Sequence, residues 1–112
     1  MLKQKFLDSM DFFLLLEKDF DSYGGEPPTK IVVDKAKKFV IDYSMIPYFI
    51  GPGPNGNIVI EYRNRKKAAE VHFDNDGNMG MLLVIMANNH IEDDYIHDGD
   101  FSLEKLNEFL MD

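Results

Sequence analysis

The chain has 112 residues, of which 45% are apolar, and contains no cysteine. That is enough apolar material for one domain with its own core, and the missing cysteine excludes disulfides, thiolate zinc sites and thiol nucleophiles. Net charge is −8, carried unevenly: residues 1–73 hold 10 acids and 11 bases, while residues 74–112 hold 10 acids and one base, Lys105. An acidic surplus of this kind repels phosphate, so it argues against direct nucleic-acid contact and for a basic partner or a bound cation.

The opening "MLKQKFLDSMDFFLLL" has the lysines and apolar residues of a signal peptide, but Asp8 and Asp11 interrupt it and no small-residue cleavage site follows. No stretch reaches the roughly 20 apolar residues of a membrane helix. The expectation is a cytoplasmic protein that is not exported and does not bind a membrane. Phe6, Met10, Phe13, Leu14 and Glu17 recur at helical spacing, widened by Leu7 and Leu16, which predicts a helix over about residues 3–18 packed on two sides. "DSYGGEPP" then stops it, because Gly24 and Gly25 are free to take φ > 0 and Pro27 and Pro28 cannot continue a helix. Thr29 is the expected N-cap of a second helix, with Val32, Ala36, Phe39, Val40 and Tyr43 on one face and Lys30, Lys37 and Lys38 away from it.

"GPGPNG" (51–56) reads as a turn; it lacks the Lys-Ser/Thr of a phosphate loop, and its prolines remove N–H groups that would cradle an anion. The period then changes to two. Ile58, Ile60 and Tyr62 alternate with Asn57, Val59, Glu61 and Arg63, and Ala69, Val71 and Phe73 with Ala68, Glu70 and His72, predicting a hairpin across the basic "RNRKK" (63–67). "DNDGN" supplies the next turn, and the uniformly apolar "MLLVIMA" predicts a strand covered on both faces. The acidic "IEDDYIHDGD" (91–100) is a fourth strand or an ordered loop. Ser102 is the expected N-cap of a last helix, with Phe101 and Leu106 as its staple and Leu103, Leu106, Phe109 and Leu110 as its buried stripe. The sum is one domain over residues 1–112 of the α+β class: a three- to four-stranded antiparallel sheet packed by two N-terminal helices and one C-terminal helix.

Two stretches, "DFDSYGGEPPTKIVVDKAKKF" (19–39) and "GPGPNGNIVIEYRNRKKAAEVHFDNDG" (51–77), resemble a "WDGYGA-x-PP" opening and a "GGI-x-LEW … LEIEI-x-x-DG" hairpin. This pairing is similar to a family of small bacterial proteins of uncharacterised activity, often linked to mobile elements. The likeness spans residues 19–77, with Phe20 and Tyr62 standing where the pattern has tryptophan and Asn57 replacing a glycine. It implies a compact accessory protein of bacterial or phage origin and carries over no catalytic residue.

Catalytic chemistry has little to draw on. The only hydroxyl nucleophiles besides tyrosines are Ser9, Ser22, Ser44, Ser102 and Thr29, two of them already assigned to helix caps, and no pair among 20 acids stands out. "HFDNDG" fails as a calcium loop, because His72 and Leu83 would occupy the first and twelfth ligand positions. No cofactor is expected and the protein is read as non-enzymatic. The informative region is the end of the chain, where Glu92, Asp93, Asp94, Asp98, Asp100, Glu104 and Glu108 can form one negative surface with Tyr95 and Ile96 as apolar anchors. Such a face would steer the protein onto a basic protein partner, plausibly a nucleic-acid enzyme, in the manner of an immunity protein, an antitoxin or a counter-defence inhibitor. Two other arrangements stay open. His90, His97 and the neighbouring carboxylates could hold a metal or small ligand, and apolar faces could pair into a homodimer.

Overall fold

The computed structural model describes residues 2–16, 25–53, 55–87 and 90–111, without the side chains of Leu2, Ala87 and residues 90–96. In chain order the elements are α1 (Leu2–Phe13), α2 (Lys30–Asp42), β1 (Phe49–Pro52), β2 (Ile58–Asn64), β3 (Lys67–Phe73), β4 (Met79–Ala87), β5 (His90–Asp100) and α3 (Leu103–Met111). The α+β class, the antiparallel pairing and the three helices match the sequence reading. The sheet has five strands in the order β1-β2-β3-β4-β5, against the three or four expected. The additional strand is β1, whose "FIGP" is too short and too rich in Gly and Pro to show an alternating pattern. Its place at the sheet edge is where Pro52, lacking an N–H, is tolerated. The acidic segment is a strand, the long β5, which pairs with β4 through two register shifts.

Antiparallel partners share a face, so the register sorts the sheet into two sides. Ile58, Ile60 and Tyr62 lie opposite Phe73, Val71 and Ala69, and these in turn lie opposite Met79, Met81 and Leu83. This side joins Met10 and Phe13 of α1, Val32, Val33, Ala36 and Val40 of α2, and Leu106 and Leu110 of α3 in one core. All three helices therefore cover the same face. Among the described residues the other face carries no helix, although Ala68 and Val84, paired across β3 and β4, are buried there too.

Local chemistry sets each boundary. Thr29 accepts from Val32 N at 3.5 Å, capping α2, and Tyr43 N–H closes its other end on Phe39 O. Ser102 Oγ accepts from Lys105 N at 3.3 Å at the start of α3, and the Asn64 side-chain amide donates to Leu110 O at its end. The β3–β4 turn is built on Asp74, whose Oδ1 accepts from Asp76 N and Asn78 N at 3.0 and 2.9 Å, with Gly77 at φ +84°.

Two expectations about the helices need correction. Helix α1 ends at Phe13, short of the expected residue 18; among the described residues it packs against α2 and β1, and Phe12 and Leu15 stay 69% and 73% exposed. Leu103 is 49% exposed and does not belong to the buried stripe of α3, which consists of Leu106 and Leu110 with Phe109 half-buried. Among the described residues no helix is long and apolar enough to cross a membrane.

Candidate functional site

Strand β5 is the last in the sheet, and its acidic residues are placed by pairing with β4. Asp98 lies opposite Leu82 and Asp100 opposite Gly80, which turns both carboxylates to the face away from the helices. His97 and Gly99, opposite Leu83 and Met81, turn toward the helix layer. Glu104 and Glu108 project from α3 in that layer, one turn apart and both exposed. The four described acids thus divide between the two sides of the sheet, Asp98 and Asp100 on one face and Glu104 and Glu108 on the helix that packs on β2 and β3 across the other.

Glu92, Asp93, Asp94, Tyr95 and Ile96 belong to β5, where Tyr95 pairs with Val84 and Asp94 with Ile85, but their side chains lie outside the described residues. The same holds for His90, which pairs with Ala87.

Four basic residues of the earlier chain are engaged elsewhere. Lys30 pairs with Asp34 at 2.7 Å, Lys37 with Asp11 at 2.6 Å, Lys38 with Asp42 at 2.7 Å and Arg63 with Glu61. Among the described residues no ion pair reaches Asp98, Asp100, Glu104 or Glu108. The "RNRKK" segment, expected at a hairpin tip, spans it: only Arg65 and Lys66 form the turn, while Arg63 stacks at 4.1 Å over the Tyr48 ring and Lys67 lies 5.5 Å from the Phe109 ring.

His97 is half-buried, with Nε2 2.9 Å from Asp100 O, and lines a groove of about 320 Å³ with Leu83, Lys105, Glu108 and Phe109. Lys105 sits among the groups that would surround a cation there. Among the described residues no three His, Asp or Glu side chains are placed to share a metal ion.

Sequence reasoning missed a second concavity, of about 430 Å³, between α2, the start of α3 and the β3–β4 turn. Its walls include Phe39, Tyr43, Phe73 and Phe101; Phe39 packs edge-on to Phe73 and Phe101 at 5.9 and 5.6 Å and stacks on Tyr43 at 5.2 Å. The available signal was Lys35, one turn before Phe39 and two before Tyr43, a lysine aligned with an apolar stripe. Next to the cleft Tyr62 is fully buried, and its hydroxyl has no hydrogen-bond partner among the described residues. Burial raises the Tyr62 pKa well above the usual tyrosine range, with a smaller contribution from Tyr43, whose own pKa is raised by burial.

No family model, curated protein or solved structure matches this chain.

Proposed function

We propose that the protein is a non-enzymatic binding module that engages a basic protein partner through the acidic surface around β5 and α3. The reading extends to an inhibitor or neutraliser of a nucleic-acid enzyme, of immunity, antitoxin or counter-defence type, and the resemblance over residues 19–77 favours a bacterial or phage source. One observation carries it: Asp98, Asp100, Glu104 and Glu108 are all exposed, and among the described residues none of them forms an ion pair. Unpaired carboxylates on a surface raise the rate of encounter with a positive partner and select against negative ones. They also protect the edge of β5 from pairing with another sheet, which keeps the surface available.

The test compares wild-type protein with the variant D98K/D100K/E104K/E108K as bait. Wild type should retain high-pI, nucleic-acid-binding proteins at low salt and release them as salt rises, and the variant should retain none of them. Retention of the same proteins by both baits would end the proposal.

A further inference from the structure

The cleft between α2 and α3 has the make-up of a small-ligand site, and none of its residues belongs to the acidic surface. Its volume, about 430 Å³, falls in the range of roughly 300–1,000 Å³ typical of ligand pockets. Phe39, Tyr43, Phe73, Met79, Phe101 and Leu103 make its walls apolar. Part of that apolar surface is open to water: Phe39, Met79 and Phe101 are only half-buried and Leu103 is exposed. An apolar ligand body would remove it from water, which is favourable in proportion to the area covered.

The polar groups at the rim decide the sign of the ligand. Lys38 and Asp42 hold each other at 2.7 Å, so their charges cancel. Lys35 has no ion pair among the described residues; its Nζ donates only to Gly77 O, at 3.3 Å. The stem of Lys35 lies over Gly77, where a Cβ would sit 2.8 Å from Nζ. This places one cation without an ion pair at the lip of an apolar cleft, in a protein whose net charge is −8. A ligand ammonium would meet Lys35 and a carboxylate already bonded to Lys38. A ligand carboxylate would meet Lys35 and replace its weak bond to the Gly77 carbonyl with a charge-assisted one.

We infer that this cleft binds a small amphipathic carboxylate, with an aryl or short alkyl body against Phe39, Phe73 and Phe101 and its carboxylate on Lys35. The test is an amide NMR titration of the full chain with 4-phenylbutyrate, 4-phenylbutanol and 4-phenylbutylamine, which share a body and differ in charge. The acid should bind saturably with a Kd on the order of 0.1–1 mM, shifting the amides of Phe39, Gly77, Phe101 and Leu103. The alcohol should bind about twofold to fivefold more weakly, as expected for an ion pair near the surface, and the amine more weakly still. Lys35→Gln should bring the acid to the level of the alcohol, while Lys66→Gln, in the β2–β3 turn, should change nothing; both side chains are exposed, so neither substitution threatens the fold. Equal affinity for acid and alcohol, no saturable shift with any probe, or shifts centred elsewhere would each overturn the inference.

Discussion

The Tyr43 hydroxyl donates to Asn107 Oδ1 at 2.9 Å, tying the end of α2 to α3, while the Tyr62 ring 5.0 Å away buries a hydroxyl with no partner among the described residues. Two phenols in one aromatic cluster therefore contribute with opposite sign. Tyr43→Phe removes a made bond and should cost about 0.5–1.5 kcal/mol. Tyr62→Phe removes the burden of a desolvated, unsatisfied group and should gain about 1 kcal/mol. Urea unfolding at neutral pH, read as a change in midpoint at constant slope, checks both signs.

The same cluster predicts sensitivity to alkali. Burial favours the neutral phenol in the fold, so the folded pKa of Tyr62 lies above the unfolded value of about 10. Below about pH 10 both states are neutral and the contribution is fully present. Above it the unfolded chain ionises first, and stability falls by up to about 1.4 kcal/mol per pH unit for each such group. Unfolding free energies measured from about pH 9 to 11.5 should fall more steeply in wild type than in Tyr62→Phe.

Two turns predict opposite responses to glycine. Arg65 has φ +58°, a conformation costing a side chain about 1–2 kcal/mol, only partly offset by the larger entropy loss of a glycine. Arg65→Gly should stabilise by about 0.5 kcal/mol. Gly77 has φ +84°, and Gly77→Ala should destabilise by about 1 kcal/mol. The crowding there comes from the flexible Lys35 side chain, which can move, so backbone strain dominates. Thermal melting of the two variants beside wild type is the measurement.

The amide of Asn64 satisfies the Leu110 carbonyl at the end of α3, which has no basic residue in its last turn. Asn64→Ala leaves that part-buried carbonyl open and should cost about 1 kcal/mol. Hydrogen exchange should quicken first at Phe109, Leu110 and Met111, where the helix end frays.

The elements legible in the sequence were those whose burial is local and periodic. Ile58, Ile60 and Tyr62 against Ala69, Val71 and Phe73 announced a hairpin, and the observed register pairs Ile58 with Phe73, Ile60 with Val71 and Tyr62 with Ala69. Thr29 and Ser102 marked helix starts because their hydroxyls satisfy nearby N–H groups. Strand β1 escaped because four residues ending in Gly-Pro carry no period. Leu103 was read as core because helical spacing gives the angle of a side chain, not whether a neighbouring element meets it. The cleft escaped for the same reason: Phe39, Phe73 and Phe101 look like core until the gap between α2 and α3 is seen. Acidity near the end of the chain was plain from composition. Its division between the two sides of the sheet depends on register, which a two-residue period cannot supply without a partner strand.

The most direct test of the acidic surface is a rate. Once a basic protein retained by wild type is purified, its association rate constant can be followed by stopped flow across a salt series. The account predicts a rate that falls steeply with added salt in wild type and a slower, nearly salt-independent rate in D98K/D100K/E104K/E108K, with both proteins equally folded. Identical rates and identical salt slopes for the two proteins would contradict it.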